Sequence, residues 1–305
     1  MFRFELARQP VLRRLRCCIR PASLVTAFLF GIVASPGLGA AAYPSPSNPL
    51  EATTSDAARQ DAVRSIPMDR IADEDREKIK TVLSNVSIFR RMPVRVAECD
   101  PMLYLFVVRH PDVVVNIWEL MKVSRLQLRQ IDEDRFELRE PGGAAVNFEY
   151  VYKGHDLHVL YGEGEYSGPL MTRPAHGRGI LVLKCGYVRE TNGRYYVTSR
   201  LDCFLAIEPL GIELLGKTVS PLMGKTADNN FIQTVAFVGN LSRTAEQNTA
   251  GMQNLATRLR HVSPEVRARL IDVVGEMAKS SDAAGRPNHA EQTEVARRPV
   301  DRLER

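Results

Sequence analysis

Between Leu126 and Ile207 the chain reads as six β-type runs separated by short polar turns, and no other feature limits the fold as tightly. The runs are LQLRQI (126–131), RFELRE (135–140), VNFEYVY (146–152), DLHVLYGEGEY (156–166), GILVLKCGYV (179–188) and RYYVTSRLDCFLAI (194–207). Asp132-Glu133-Asp134, Pro141-Gly142-Gly143, Lys153-Gly154-His155 and Asn192-Gly193 separate them. Loops this short make sequence neighbours antiparallel neighbours in one sheet. Gly162 and Gly164 inside their run predict a bend, the device a curved sheet needs.

Asn192-Gly193 predicts a two-residue type I′ turn, with Thr191 facing Arg194. In that register Cys185 lies opposite Arg200 and Cys203 opposite Val182, so the two thiols point to opposite faces and a disulfide between them is disfavoured. One face then carries Ile180, Val182, Lys184, Val188, Val197, Leu201, Cys203 and Leu205. The other carries Arg189, Arg200 and Asp202. The more apolar face should meet a helix.

Helices flank the meander. Asp73 to Asn85 is amphipathic with acids in its first turn. Ser87 to Glu98 reads as a strand that Pro93 places at an edge or bulge. Asp100-Pro101 and Pro111-Asp112 open two short helices, with strand as the competing reading for Met102–Val108. After the last strand, Asp228 caps a long amphipathic helix to Val262, with Phe231, Val235, Val238 and Leu241 on its apolar stripe. Pro264 opens a further helix to residue 279. The class is α+β.

This order resembles the helix-grip fold of the START-like and polyketide-cyclase-like superfamily. The helix pair after Asp100, the Asn192-Gly193 hairpin and the Asp228–Val262 helix carry the resemblance, over residues 87–262. It implies a curved seven-stranded antiparallel sheet wrapped on the long C-terminal helix, with a cavity for a hydrophobic or lipid-like small molecule. The superfamily shares no catalytic residues, so none is carried over. A single helix on a curved sheet leaves space beneath it. The residues expected to line that space are Ile180, Val182, Lys184, Val197, Leu201, Val235 and Val238. Lys184 would meet a ligand headgroup or carry its ammonium to the rim.

Charge locates the molecule. The chain has 41 basic and 36 acidic side chains, a formal net charge of +5. Residues 1–42 hold six arginines and one acid, Glu5, leaving 35 basic and 35 acidic groups in a neutral body. A neutral body has no footprint for a phosphate backbone, which argues against nucleic acid. Arg20, the apolar run from Ala22 to Ala34 and the small residues Gly39 to Ala42 have the pattern of an export signal cleaved after Ala41 or Ala42. A periplasmic or secreted protein is expected, or a membrane-anchored one if the leader is retained. Residues 43–72 read as a flexible linker, 73–262 as the folded domain, 263–279 as a short helix and 280–305 as a disordered tail.

Several local patterns imitate functional motifs. Gly211-Ile-Glu-Leu-Leu-Gly216-Lys217-Thr218 has the spacing of a phosphate-binding loop. Its interior is bulky and carries a carboxylate, Pro221 disfavours the required helix, and the strand before it belongs to an antiparallel hairpin. ATP is not an expected partner, and no cofactor is expected. His155 and His158 fall on different faces, which argues against a metal. Glu163 and Glu165 share one strand face at a spacing of about 6.6 Å that acid–base chemistry can use. They support a cyclase or hydrolase as the alternative to a binding domain. A structural or interaction domain without a ligand is the third reading.

Overall fold

The computed structural model describes residues 48–168, 173–208 and 224–283. Helix α1 (Asp56–Arg64), a 3-10 turn (Met68–Arg70) and α2 (Asp73–Ser84) precede β1 (Ile88–Arg91) and β2 (Arg95–Glu98). Next come α3 (Pro101–Arg109) and α4 (Pro111–Leu120). The meander follows as β3 (Gln127–Gln130), β4 (Arg135–Arg139), β5 (Ala144–Lys153), β6 (Leu157–Tyr166), β7 (Ala175–Arg189) and β8 (Tyr195–Ile207). Helices α5 (Lys225–Gln247), α6 (Thr249–Ala256) and α7 (Pro264–Ala283) complete the described chain.

The sheet has eight antiparallel strands in the order β1-β8-β7-β6-β5-β4-β3, with β2 beside β1 on the same edge of β8. The expected seven-strand count fails at Pro93, because Met92-Pro93-Val94 splits one run into two short strands. The sheet is not strongly curled, despite Gly162 and Gly164, which sit opposite Gly179 and Gly177.

Helix starts follow local chemistry. The Asp100 carboxylate accepts the Met102 amide at 2.8 Å, and Pro101 occupies the first turn of α3. The long C-terminal helix differs from expectation at both ends. It begins at Lys225, so Asp228 lies inside its first turn and pairs bidentately with Arg90 of β1 instead of capping. At Asn248 it breaks, and the Asn248 side chain caps α6 by accepting the Gly251 amide at 2.9 Å.

A helix also stands where composition predicted a linker. Ser55 caps α1 by accepting the Ala58 amide, and Ala58, Ala62, Ile66 and Ile71 are buried. These residues join Ile79 and Val82 of α2 in covering one face of the sheet, over Val159, Tyr161, Ile180, Val182 and Phe204. Both faces of the sheet are therefore covered by helices, α1 and α2 on one side and α3 to α7 on the other.

Which residues face which layer was decided by one turn. Glu190, not Thr191, pairs with Arg194, its amide donating to the Arg194 carbonyl at 2.9 Å. The loop has three residues, and Gly193 alone takes a positive φ, +77°. A type I′ turn needs positive φ at both central residues, and Asn192 does not supply it; a type I turn closed by a left-handed glycine fits instead. The ladder shifts by one, so Ile180 faces Phe204, Val182 faces Asp202 and Lys184 faces Arg200. Every side chain on this hairpin then changes its partner, and the two strands keep different faces from those expected. Cys185 and Cys203 now share a face, about 13 Å apart along the ladder. Both are buried free thiols, as is Cys99. Replacing Gly193 by alanine forces a side chain into the left-handed region and is expected to cost about 1–2 kcal/mol, read as a lowered urea midpoint with unchanged slope.

Candidate functional site

Helix α5 grips the sheet at its β2 edge. At Gly239 an added Cβ would lie 3.1 Å from the Ala97 Cβ, tighter than ordinary contact, so a side chain there would push the backbones apart by a few tenths of an ångström. Asp100 donates its amide to Ser242 Oγ at 2.9 Å, fixing α5 to the start of α3. Trp118 of α4 meets Phe237 of α5 edge-on, ring centroids 5.7 Å apart. Helix α4 runs beside β3, at the far edge of the sheet.

Between these two edges lie the central strands β5, β6 and β7. Their side chains on the α5 side include Phe148, Leu160, Leu181 and Leu183, all only half-buried although they pack against the apolar clusters of α3–α7. Leu160 stands directly opposite Leu181. The same positions on the α1–α2 side behave differently: Val159, Ile180, Val182 and Phe204 are completely buried. Farther along, the same face of β6 and β7 is glycine, with Gly162 opposite Gly179 and Gly164 opposite Gly177. The result is a strip of half-buried leucine and phenylalanine that gives way to glycines, over which Phe148, Val146 and Leu205 pack.

The other end of this face is polar. Next to Leu160 on the same face of β6 is His158, opposite Leu183 of β7. It is fully buried, and neither ring nitrogen has a hydrogen-bond partner among the described residues. Burial, with the Arg109 and Lys153 charges nearby, lowers its pKa to about 4 and keeps it neutral. Tyr150 lies beside it, ring centroids 6.3 Å apart, and donates to the Val108 carbonyl. Tyr104 and Ser199 share a hydrogen bond at 2.6 Å, with the Cys185 thiol 3.5 Å from the Tyr104 hydroxyl. Burial raises the Cys185 thiol to about 11, so it is no nucleophile at neutral pH. Asp112 opens α4 fully buried, and burial raises its carboxyl to about 6.

The seven residues expected to line a ligand site are not brought together. Ile180 and Val182 are sealed beneath α1 and α2, and Lys184 lies half-buried on that same face beside Arg200. Val197, Leu201, Val235 and Val238 do lie on the α5 side, but packed into its core. The shifted register puts Leu181 and Leu183, rather than Ile180 and Val182, on the α5 side.

Glu163 and Glu165 line a groove of about 620 Å³ on the α2 side, with Asn147, Arg178 and His176. Their side chains are 59% and 47% exposed, with Arg178 3.9 Å from the first and His176 4.0 Å from the second. They stand on the opposite face of the sheet from Leu160, Leu181 and Leu183. His155 is exposed in its turn while His158 is buried, and among the described residues no group of three or more His, Cys, Asp or Glu side chains could hold a metal. The Gly211–Thr218 pattern lies outside the described residues. No described helix is long and apolar enough to cross a membrane. No protein-family model matches the chain, and no curated protein is significantly similar to it.

Proposed function

We propose that this protein is an exported, non-enzymatic binding domain that holds a hydrophobic or lipid-like small molecule in a trough between the sheet and α5. One observation carries the reading: Phe148, Leu160, Leu181 and Leu183 keep accessible surface at the centre of an eight-stranded sheet, on a face already partly covered by helices. Apolar surface there is unfavourable unless something covers it, at about 25 cal/mol per Å². The strand order, with a helix pair between β2 and β3 and a long helix after β8, supports a helix-grip plan for the domain. The segregated arginines and apolar run of residues 1–42 support export.

Two measurements test this. Solvent extraction and mass spectrometry of the purified protein should release an apolar molecule in near-equimolar amount, and the emptied protein should bind the neutral dye Nile red. Leu181→Asp, which puts a carboxylate on the trough floor, is expected to weaken Nile red by at least about tenfold, since burying an unpaired charge is strongly unfavourable. Protein that is empty as purified and leaves the dye unbound would overturn the reading, as would dye binding indifferent to Leu181→Asp.

A further inference from the structure

We infer that the free end of the β7–β8 hairpin, with β2 and Leu50 beside it, docks on a negatively charged lipid bilayer. Strands β7 and β8 are the longest, with 15 and 13 residues. β6 accompanies β7 only as far as Lys184, and beyond it Cys185–Arg189 pair with Tyr195–Ser199 of β8 alone. On the far side of β8 this end is flanked by β2, with Val96 opposite Thr198 and Glu98 opposite Tyr196. Thr198 in turn faces Gly186, and Tyr196 faces Val188. Val96, Thr198, Tyr196 and Val188 therefore share one face, the face that α1 and α2 cover farther along over Ile180, Val182 and Phe204. Pro49 accepts the Val94 amide at 2.9 Å and the Leu50 carbonyl accepts from Arg95, which lays Leu50 along the outer edge of β2. Leu50, Val96 and Val188, at 59%, 59% and 57%, are the three most exposed large apolar side chains among the described residues. Single exposed residues are ordinary, but three gathered at one corner mark an interaction surface.

Two observations say what covers it. The first is charge. Lys184, next to Gly186 on this face of β7, and Arg95 and Arg189 at its rim form no ion pair among the described residues. Arg95 donates to backbone carbonyls, and Arg189 lies over the Tyr195 ring. Glu98, the acid within the patch, is taken by Arg194. Glu51, which accepts from Asn48, and Glu190 are the acids left around it, so cations exceed carboxylates by three to two. The second is the path of the chain. The described residues begin at Asn48, at this same corner, and 13 residues separate it from the apolar run Ala22–Ala34. Fully extended, that many residues reach about 45 Å, so a bilayer holding the run stands within that distance of the patch. A second copy docked here on a twofold axis would set the same cations against themselves, whereas anionic headgroups neutralise them. Tyr196 and the arginines suit the headgroup zone, and the three aliphatic side chains the acyl boundary beneath it.

Trp118 is the only tryptophan and is buried, so Val188→Trp adds a reporter at an exposed position. The full chain carrying Val188→Trp is mixed with vesicles of phosphatidylcholine and phosphatidylglycerol, with and without bromine on the acyl chains. Its emission is expected to shift blue and to be quenched by the brominated lipid, while the unmodified protein changes in neither respect. Leaving out phosphatidylglycerol should lower the partition coefficient about fivefold, the worth of one net positive charge at an anionic surface. Adding Val96→Asp should lower it at least about tenfold, because a carboxylate must then leave water, with near-ultraviolet circular dichroism staying native. Protein that sediments with the vesicles yet escapes quenching overturns the inference, since the leader and not this corner then meets the lipid. Quenching indifferent to Val96→Asp or to phosphatidylglycerol also overturns it. So does a blue shift that grows with protein concentration in the absence of lipid, the mark of a second copy. Each of these leaves the trough and its Nile red test untouched.

Discussion

Asp202→Ala is expected to destabilise the protein by about 3–5 kcal/mol, the cost of removing one partner from a buried ion pair. Asp202 is completely buried in β8, directly across from Arg91 of β1. Arg91 holds it through Nε at 2.5 Å and Nη2 at 3.1 Å, and reaches Asp61 of α1 at 2.7 Å. Arg200 joins the same Asp61 carboxylate at 3.1 Å. This network holds α1 to the sheet together with the Thr53–Arg91 backbone pair just before the helix, which itself buries only the small Ala58 and Ala62. Without Asp202, two guanidiniums and the half-buried Lys184 share one partly exposed carboxylate. The loss should lower the melting temperature by roughly 10 °C in a domain of this size and expose α1 to protease first. Arg91→Met combined with Asp202→Leu should recover most of it, since an apolar pair removes the unpaired charge. A single variant that melts with the unmodified protein would show that the network is not what holds α1.

The order of elements was legible because each depends on local chemistry. The Asp100-Pro101 start, the apolar stripe of α5 and the short polar turns all act within a few residues. Helix α1 was illegible for the opposite reason. Its buried stripe is Ala58 and Ala62, which give no hydrophobic period, and its attachment is ionic with partners 30 and 139 residues away. The two faces of β7 were exchanged by a single φ angle. Asn192 could have taken a left-handed conformation and did not, and that choice moved Leu181 and Leu183 to the α5 side while sealing Ile180 and Val182 under α2. A period-two pattern reports that two faces exist. With apolar residues on both faces of β7, it cannot report which of them is left open, because both N-terminal and C-terminal helices compete to cover it.

Acid should reveal the buried His158 through stability. His158 has a folded pKa of about 4 against an ordinary value of 6.5, so between those limits the unfolded chain binds a proton that the folded chain does not. Stability contributed by this group is complete above pH 6.5 and is lost as pH falls to 4, by about 3 kcal/mol. His110, held down by burial and by Arg269, Lys153 and Arg109, adds in the same direction. Asp112 opposes them. Its carboxyl, raised from 3.8 to about 6, keeps a proton in the folded state, so its contribution is present below pH 4 and lost as pH rises through 6. The three groups therefore separate by variant. Measured by urea unfolding, the stability difference between His158→Leu and the unmodified protein should move in favour of the variant by about 3 kcal/mol between pH 7 and pH 4. Asp112→Asn should gain on the unmodified protein at pH 7 and lose that advantage at pH 4. The two slopes must have opposite signs, because one buried group resists gaining a charge and the other resists gaining one by losing its proton. Parallel slopes would mean that His158 is not a buried, neutral imidazole in the folded protein.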